Sequence, residues 1–187
     1  MECFKKPEVE NMTRDIFQIS SSLLLKCQNN SLNEFFLDTF IIADDNAQKH
    51  RVKLTLQVPD DPIIFTFDYY SLQQALLKLI DNAVEASPMD GEVVVCGRYE
   101  GGNLVIEVTD YGGGTICGMA AEISITQGQK DYDDCNLCQL IAKLSDGSNV
   151  RLLIAQQIIE AHNGMLIYER QGLQSTTLRI TLPPAEL

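Results

Sequence analysis

The sequence predicts an α+β fold, a two-layer α/β sandwich in which a mixed sheet of about five strands is backed by about three helices. Two patterns predict it. Short runs rich in β-branched residues, bounded by turn residues, occur in the middle and at the end of the chain. Longer stretches with apolar residues every three or four positions alternate with them, as in amphipathic helices. No internal repeat or low-complexity linker is present, so one domain with helices on one side of the sheet is expected.

Composition limits the classes of function. The chain has 187 residues, of which 45% are hydrophobic and 21% charged, as in an ordinary globular domain. Its formal net charge of -12 argues against nucleic-acid binding, which needs a basic face, but not against a small anionic ligand. No apolar run reaches the ~20 residues that cross a bilayer, so direct membrane insertion is not expected. Six cysteines without a secretory signal favour a reducing, cytoplasmic location.

The N-terminal part is predicted to be helical. Residues 1–30 are expected to form an N-terminal helical segment, with the helix itself at 11–28, and residues 31–187 the domain that contains the sheet. Ser31 and Glu34 have the spacing of a capping box that starts the next helix. The apolar positions at 11–28 are Ile16, Ile19 and Leu23, and the second helix places Leu32, Phe35, Thr39 and Ile42 along one side.

The middle of the chain reads as strand, strand and helix. Residues 51–58 alternate apolar and polar side chains, and residues 63–67 form a second apolar run after the turn "PDDP". Ser71, with Gln74, is predicted to open a helix that Pro88 forbids from continuing. Its apolar stripe consists of Leu72, Leu76, Leu79 and Ala83.

A hairpin, a loop, a helix and two strands complete the chain. Residues 91–110 form two β-rich runs that meet at Gly101-Gly102-Asn103. Residues 115–147 have no clear period, as in a functional loop or lid. Residues 149–162 predict a helix ended by Asn163-Gly164. Its buried side is assigned to Leu152, Ala155, Ile159, Ala161 and His162, and closing strands to 165–170 and 176–182.

The stretch "LVIEVTDYGGG" combines a strand's end, a carboxylate and three glycines. Asp110 follows an apolar run, and Gly112 to Gly114 come two residues later. Consecutive glycines cost backbone entropy and allow close approach of the main chain to a ligand. Alone, the pattern is more often a glycine-rich turn capped by a surface aspartate.

Four stretches in order carry a family resemblance. They are "LNEFFLDTFIIADDNAQKHRVKLTLQVPDD", "LQQALLKLIDNAVEASP", "VIEVTDYGGG" and "IAQQIIEAHNGMLIYERQGLQSTTLRITLP". From about residue 32 to 183 the chain resembles the ATP-binding catalytic domain of sensor histidine kinases, in the GHKL group with DNA gyrase B and MutL. The resemblance implies the Bergerat-type fold of that family, with ATP and Mg²⁺ as cofactors.

The resemblance also implies roles for individual residues. Asp110 matches the aspartate that accepts a hydrogen bond from the adenine amino group, and Gly112 and Gly114 match the glycines beside the base. A carboxylate only accepts hydrogen bonds, so it selects adenine's exocyclic donor. Asn82 matches the magnesium ligand, an amide oxygen suited to a hard cation. Thr177 is aligned with the threonine that supports the aspartate through water.

The chain departs from this family at two positions. One helical turn before Asn82, kinases of the family carry another asparagine and the ATPases a glutamate, whereas this chain has Lys78. The second glycine box, usually G-x-G-x-G, reads Gly147-Ser148-Asn149-Val150-Arg151. An arginine there either fills the space for phosphate or contacts phosphate with its guanidinium.

Two interpretations follow. In the first, Lys78 and Arg151 supply positive charge that magnesium and bare amides supply elsewhere, so that adenine nucleotide binds with altered magnesium dependence. In the second, the chain is a pseudokinase that acts as a docking or regulatory module. Vigorous ATP hydrolysis is not expected in either case, because the water-activating glutamate is absent.

The phosphoacceptor is the remaining question. His50 precedes a strand and His162 ends a helix, so neither fits a phosphoacceptor on a dimerisation helix. The chain is therefore expected to lack its own acceptor and to act with a histidine-containing dimerisation domain or a response regulator in trans. Residues 1–30 are then either the tail of a dimerisation helix pair or a packing helix. An anti-sigma-factor-type kinase is a third alternative, although kinases of that type are shorter and match the organisation of this chain less well.

Overall fold

A computed structural model of the chain describes residues 24–111, 148–171 and 175–184. In chain order, its helices and strands are β1 (Gln28–Ser31), α1 (Leu32–Lys49), β2 (Lys53–Gln57), β3 (Ile64–Phe67), α2 (Tyr69–Ala86), β4 (Glu92–Glu100), β5 (Asn103–Asp110), α3 (Ser148–Ala161), β6 (Met165–Gln171) and β7 (Ser175–Leu182). The loop predicted at 115–147 lies outside the described residues.

The main sheet has the strand order β2-β4-β5-β7-β6. Strand β2 runs parallel to β4, and the other neighbours are antiparallel. A second, two-stranded sheet joins β1 and β3. Among the described residues, three helices accompany the mixed five-stranded sheet, which confirms the predicted α+β sandwich.

The strand β1 corrects the predicted N-terminal helix. Residues 24–27 are irregular and 28–31 pair with β3, so no helix extends through 24–28. The side-chain amide of Asn30 donates to the carbonyl of Phe67 at 2.9 Å and adds to this pairing. The described end of the predicted helix, residues 24–28, is therefore not helical. The rest of the predicted helix, up to residue 23, lies outside the described residues.

The core lies between the helices and one face of the main sheet. Alternate residues of β5 and β7 point into it, and the predicted stripe of α2 covers them. These buried side chains include Leu104, Ile106 and Val108 of β5, Leu178, Ile180 and Leu182 of β7, and Leu72, Leu76, Leu79 and Ala83 of α2. Helix α1 buries Leu32, Phe35 and Thr39 as predicted, but Ile42 is 52% exposed. Its buried side continues at four-residue spacing through Ala43 and Ala47 instead.

The glycine turn of the predicted hairpin is confirmed. Gly101 and Gly102 have φ angles of 58° and 88°, a region that side chains disfavour, and they connect β4 directly to β5. Helix α3 ends where Asn163 adopts a φ of 57°, as its predicted C-terminal signal requires.

The observed N-cap residue agrees with the predicted one for α1 and differs from it for α2. Ser31 is the N-cap of α1 and accepts a hydrogen bond from the Glu34 N–H at 3.4 Å. Helix α2 begins at Tyr69, two residues before the predicted start, because Asp68 is its N-cap and accepts from the Ser71 N–H at 2.9 Å. Ser71 is thus the residue that is capped and not the cap.

Asp68 also connects three segments of the chain. Its carboxylate accepts from the Lys26 N–H at 2.6 Å, and its own N–H donates to Nε2 of His162 at 3.1 Å. Because Nε2 accepts, the proton lies on Nδ1, which donates to the carbonyl of Ile158 at 2.7 Å. Burial favours a raised pKa for Asp68, but the hydrogen bonds from Lys26 and Ser71 outweigh it and hold that pKa below its usual value.

Replacing Asp68 by alanine should lower the free energy of unfolding by about 1–2 kcal/mol at neutral pH, because the cap of α2 is lost. Since folding lowers the pKa of Asp68, this stabilisation is present above about pH 4 and disappears as the pH falls through the folded-state pKa. Urea unfolding at pH 7 and pH 3 measures both effects. Asp61→Ala, in an exposed bend, is the matched control, and an equal loss in both variants would contradict the capping role.

Candidate functional site

Asp110 is the last residue of β5 and is only 3% exposed. It continues the row formed by Leu104, Ile106 and Val108 on the helix-facing side of the sheet. Across the sheet it is paired with Val93 of β4 and Thr176 of β7. The Asp110 carboxylate therefore lies at the edge of the apolar core, where β5 ends and β7 begins.

The strand register differs from the sequence-based assignment of the threonine beside Asp110. Thr176 lies opposite Asp110 and is buried, so both side chains point to the same face. Thr177 lies opposite Thr109, and their hydroxyl oxygens are 2.9 Å apart on the other face. The residue beside Asp110 is thus Thr176. In a sequence with two adjacent threonines, only the strand pairing distinguishes them.

The face that carries Thr177 is held by ion pairs. Glu107 accepts two hydrogen bonds from the guanidinium of Arg98, at 2.7 and 3.0 Å, and one from Nε of Arg179 at 2.7 Å. The hydrogen bonds from Arg98, aided by the one from Arg179, lower the pKa of Glu107 against the effect of burial. This face is therefore a charged surface, distinct from the face to which Asp110 points.

Asn82 lies on the buried side of α2 and is 4% exposed. Lys78 is half-buried one helical turn earlier, on the same side of the helix. The neighbouring Asp81 is turned towards α1, where its carboxylate accepts from the side-chain amide of Asn46 at 2.7 Å. Because α2 packs against β5, Asn82 belongs to the layer that faces Asp110.

Arg151 pairs with Glu85, a residue that was not among the predicted site residues. Its Nη1 and Nη2 atoms donate to the two carboxylate oxygens of Glu85 at 2.7 and 2.8 Å. Glu85 follows Asn82 by three residues and Lys78 by seven, a spacing that puts all three on one side of α2. That spacing was the available signal in the sequence, but Glu85 could not be assigned from it alone, because its partner Arg151 lies 66 positions away on another helix.

Other predicted site residues are only partly described. Gly112, Gly114 and Gly147 lie outside the described residues. Ser148 is the first residue of α3, so a helix begins within the predicted second glycine box. The main-chain N–H groups of a helix's first turn have no partners within the helix and suit an anion.

Two kinds of feature are absent from the part of the chain that the structure describes. Within the described ranges, no helix is long and apolar enough to cross a membrane. The same residues contain no cluster of three or more His, Cys, Asp or Glu side chains that could hold a metal ion.

Comparison with family models identifies the protein family of the chain. The family model "Histidine kinase-, DNA gyrase B-, and HSP90-like ATPase" matches residues 67–186. The chain belongs to this family. The match includes both Asp110 and Asn82, as well as helices α2 and α3 and strands β4 to β7.

Two curated relatives illustrate the match. This chain is 28% identical over 163 residues to the non-motile and phage-resistance protein of Caulobacter vibrioides, and the alignment covers 85% of this chain and 18% of that protein. It is 24% identical over 155 residues to the circadian input-output histidine kinase CikA of Thermosynechococcus vestitus, which covers 82% of the chain and 20% of that protein. The chain spans about a fifth of the length of these relatives.

A solved structure has the same fold. The histidine kinase ThkA, in complex with the response regulator TrrA, superposes with a TM-score of 0.68 at 15% identity. The superposition covers 96% of this chain and 48% of ThkA. The histidine-kinase ATPase architecture predicted from the sequence is therefore confirmed.

Proposed function

We propose that this chain is the adenine-nucleotide-binding, catalytic-type domain of a two-component sensor histidine kinase, without a phosphoacceptor histidine of its own. The observation that carries the proposal is the buried carboxylate of Asp110 at the end of β5, in a chain of the histidine-kinase ATPase family. A carboxylate accepts but does not donate, so it pairs with the amino group of adenine and disfavours the carbonyl that guanine has there.

The base is proposed to contact three residues, one of which is supported by a fourth. Asp110 accepts from the adenine amino group, Thr176 supports the aspartate from the neighbouring strand, and the backbone at Gly112 and Gly114 approaches the ring. The pairing of Thr176 with Asp110 supports this assignment in place of the Thr177 assignment made from sequence.

The phosphates of ATP are proposed to lie between α2 and the start of α3. Asn82 would hold Mg²⁺ through its amide oxygen, and Gly147 and Ser148 would offer main-chain N–H groups to phosphate. Lys78 and Arg151 would add positive charge to the same region. A lysine one turn from Asn82 repels a metal cation, so we propose that nucleotide binding depends little on magnesium.

The partner is proposed to be a histidine-containing dimerisation domain or a response regulator in trans, at a cytoplasmic location. His162 supports the lack of an internal acceptor, since it is buried and both ring nitrogens are engaged, by the Asp68 N–H and the Ile158 carbonyl. The structurally similar kinase ThkA forms a complex with the response regulator TrrA, which supports this kind of partner.

A second candidate function is a pseudokinase that docks or regulates a signalling partner. A group of exposed apolar side chains on α1 and at the start of α2 favours it, namely Leu37, Ile41, Ile42 and Tyr70. Three of them border a groove of about 570 Å³ that Glu34 and Asp38 also line. Contiguous exposed apolar surface often marks an interaction site.

Asp110→Asn should weaken ATP binding by roughly 1–3 kcal/mol, because an acceptor oxygen facing the adenine amino group becomes a donor. Isothermal titration calorimetry measures the change. If the affinity stays the same, bound nucleotide does not use this aspartate. If the unmutated chain binds no nucleotide at all, the docking function is favoured instead.

Thr176→Val should weaken ATP binding by about 1 kcal/mol, because it removes one hydroxyl beside Asp110 at nearly constant volume. Thr177→Val is the matched control, since its hydroxyl contacts Thr109 on the opposite face. It should leave nucleotide affinity unchanged. A loss confined to the Thr177 variant would restore the assignment made from sequence alone.

EDTA should barely change the dissociation constant for ATP if Lys78 and Arg151 take the place of magnesium. Lys78→Asn should then restore magnesium dependence, because it removes the repelling charge next to Asn82. Titrations with and without EDTA in both proteins test this. Binding that collapses in EDTA in the unmutated chain would refute the replacement. Binding gained only in Arg151→Gly would mean that the arginine blocks the phosphate space.

A further inference from the structure

The paired groups Glu85 and Arg151 lie beside the proposed phosphate region. The carboxylate of Glu85 engages both terminal nitrogens of the Arg151 guanidinium, at 2.7 and 2.8 Å. Phosphate oxygens bind a guanidinium through the same two-donor geometry. A carboxylate and a phosphate therefore compete for one edge of this guanidinium.

The position of Glu85 strengthens this competition. It lies on the side of α2 that carries Lys78 and Asn82, and its partner lies one turn inside α3, which begins at Ser148. An anion bound at the start of α3 and near Asn82 is therefore placed to take the Arg151 guanidinium from Glu85. The side chains of Glu85 and Arg151 remain 39% and 28% exposed, and partly exposed pairs contribute little net stability.

We propose that Glu85 is a positioning residue that controls whether Arg151 contacts nucleotide phosphate. With the carboxylate in place, the Nη1 and Nη2 edge of the guanidinium is held on α2, and a bound nucleotide must displace Glu85 to contact that edge. The penalty applies to phosphate and not to the base, so it lowers the preference of the site for ATP over adenosine. This proposal rests on the proposed nucleotide binding and adds to it a residue that sets phosphate affinity.

The test is calorimetric titration of ATP and of adenosine into the unmutated chain and into the E85Q, R151Q and E85Q/R151Q variants, in EDTA at fixed ionic strength. Removing the competing carboxylate should raise ATP affinity by roughly five-fold and leave adenosine affinity unchanged. In the R151Q background, the same Glu85→Gln change should alter ATP affinity less than about two-fold, since the guanidinium is already absent.

Glu160→Gln is the matched control, because it also removes one negative charge but lies near the far end of α3, where Glu160 pairs with Gln156. It should not change ATP affinity. Thermal unfolding of each variant checks that the fold is retained.

Unchanged ATP affinity in E85Q would overturn the proposal. An equal gain in E85Q/R151Q relative to R151Q would also overturn it, because the carboxylate would then act by simple repulsion and not through Arg151. Failure of the proposed function looks different: neither ATP nor adenosine binds any of the four proteins.

Discussion

The antiparallel register between β5 and β7 is the constraint on which the rest of the structure depends. It turns Leu104, Ile106 and Val108 towards the helices together with Leu178, Ile180 and Leu182, and it brings Thr176 opposite Asp110. A shift of one residue would turn the apolar row of β7 to the charged face, where Glu107 pairs with Arg98 and Arg179. The packing of the hydrophobic core therefore determines which polar groups lie beside Asp110. The geometry of the candidate site depends on the same strand register.

Much of the fold could be predicted because its signals are local. The Gly101-Gly102 turn requires positive φ angles, and the stripe from Leu72 to Ala83 follows the helical period, so both were predicted correctly. The start of α2 was misplaced because Ser71 and Asp68 are both good capping residues, and the choice depends on Lys26 and His162, which are distant in sequence. The strand β1 was missed for the same reason, since its pairing with β3 is not local.

The candidate site was predictable in its residue types but not in its contacts. Asp110 and Asn82 were identified by motif, and the structure buries both side chains. The choice between Thr176 and Thr177 needed the strand register, because a motif match cannot tell two adjacent threonines apart. The pair of Arg151 with Glu85 needed the packing of α3 on α2, because these residues are 66 positions apart.

Under the proposed function, the local charges give Lys78 and Arg151 different roles. Lys78 and Arg151 each add one formal positive charge, and Glu85 removes one by pairing with Arg151. The net addition near Asn82 is thus one positive charge while the pair is intact, which is half the charge of a magnesium ion. In the proposed function, Lys78 then opposes metal binding before nucleotide enters, and Arg151 would contribute only when phosphate takes its guanidinium from Glu85. Under that proposal, replacement of magnesium by side-chain cations would require the release of Arg151 as well as the presence of Lys78.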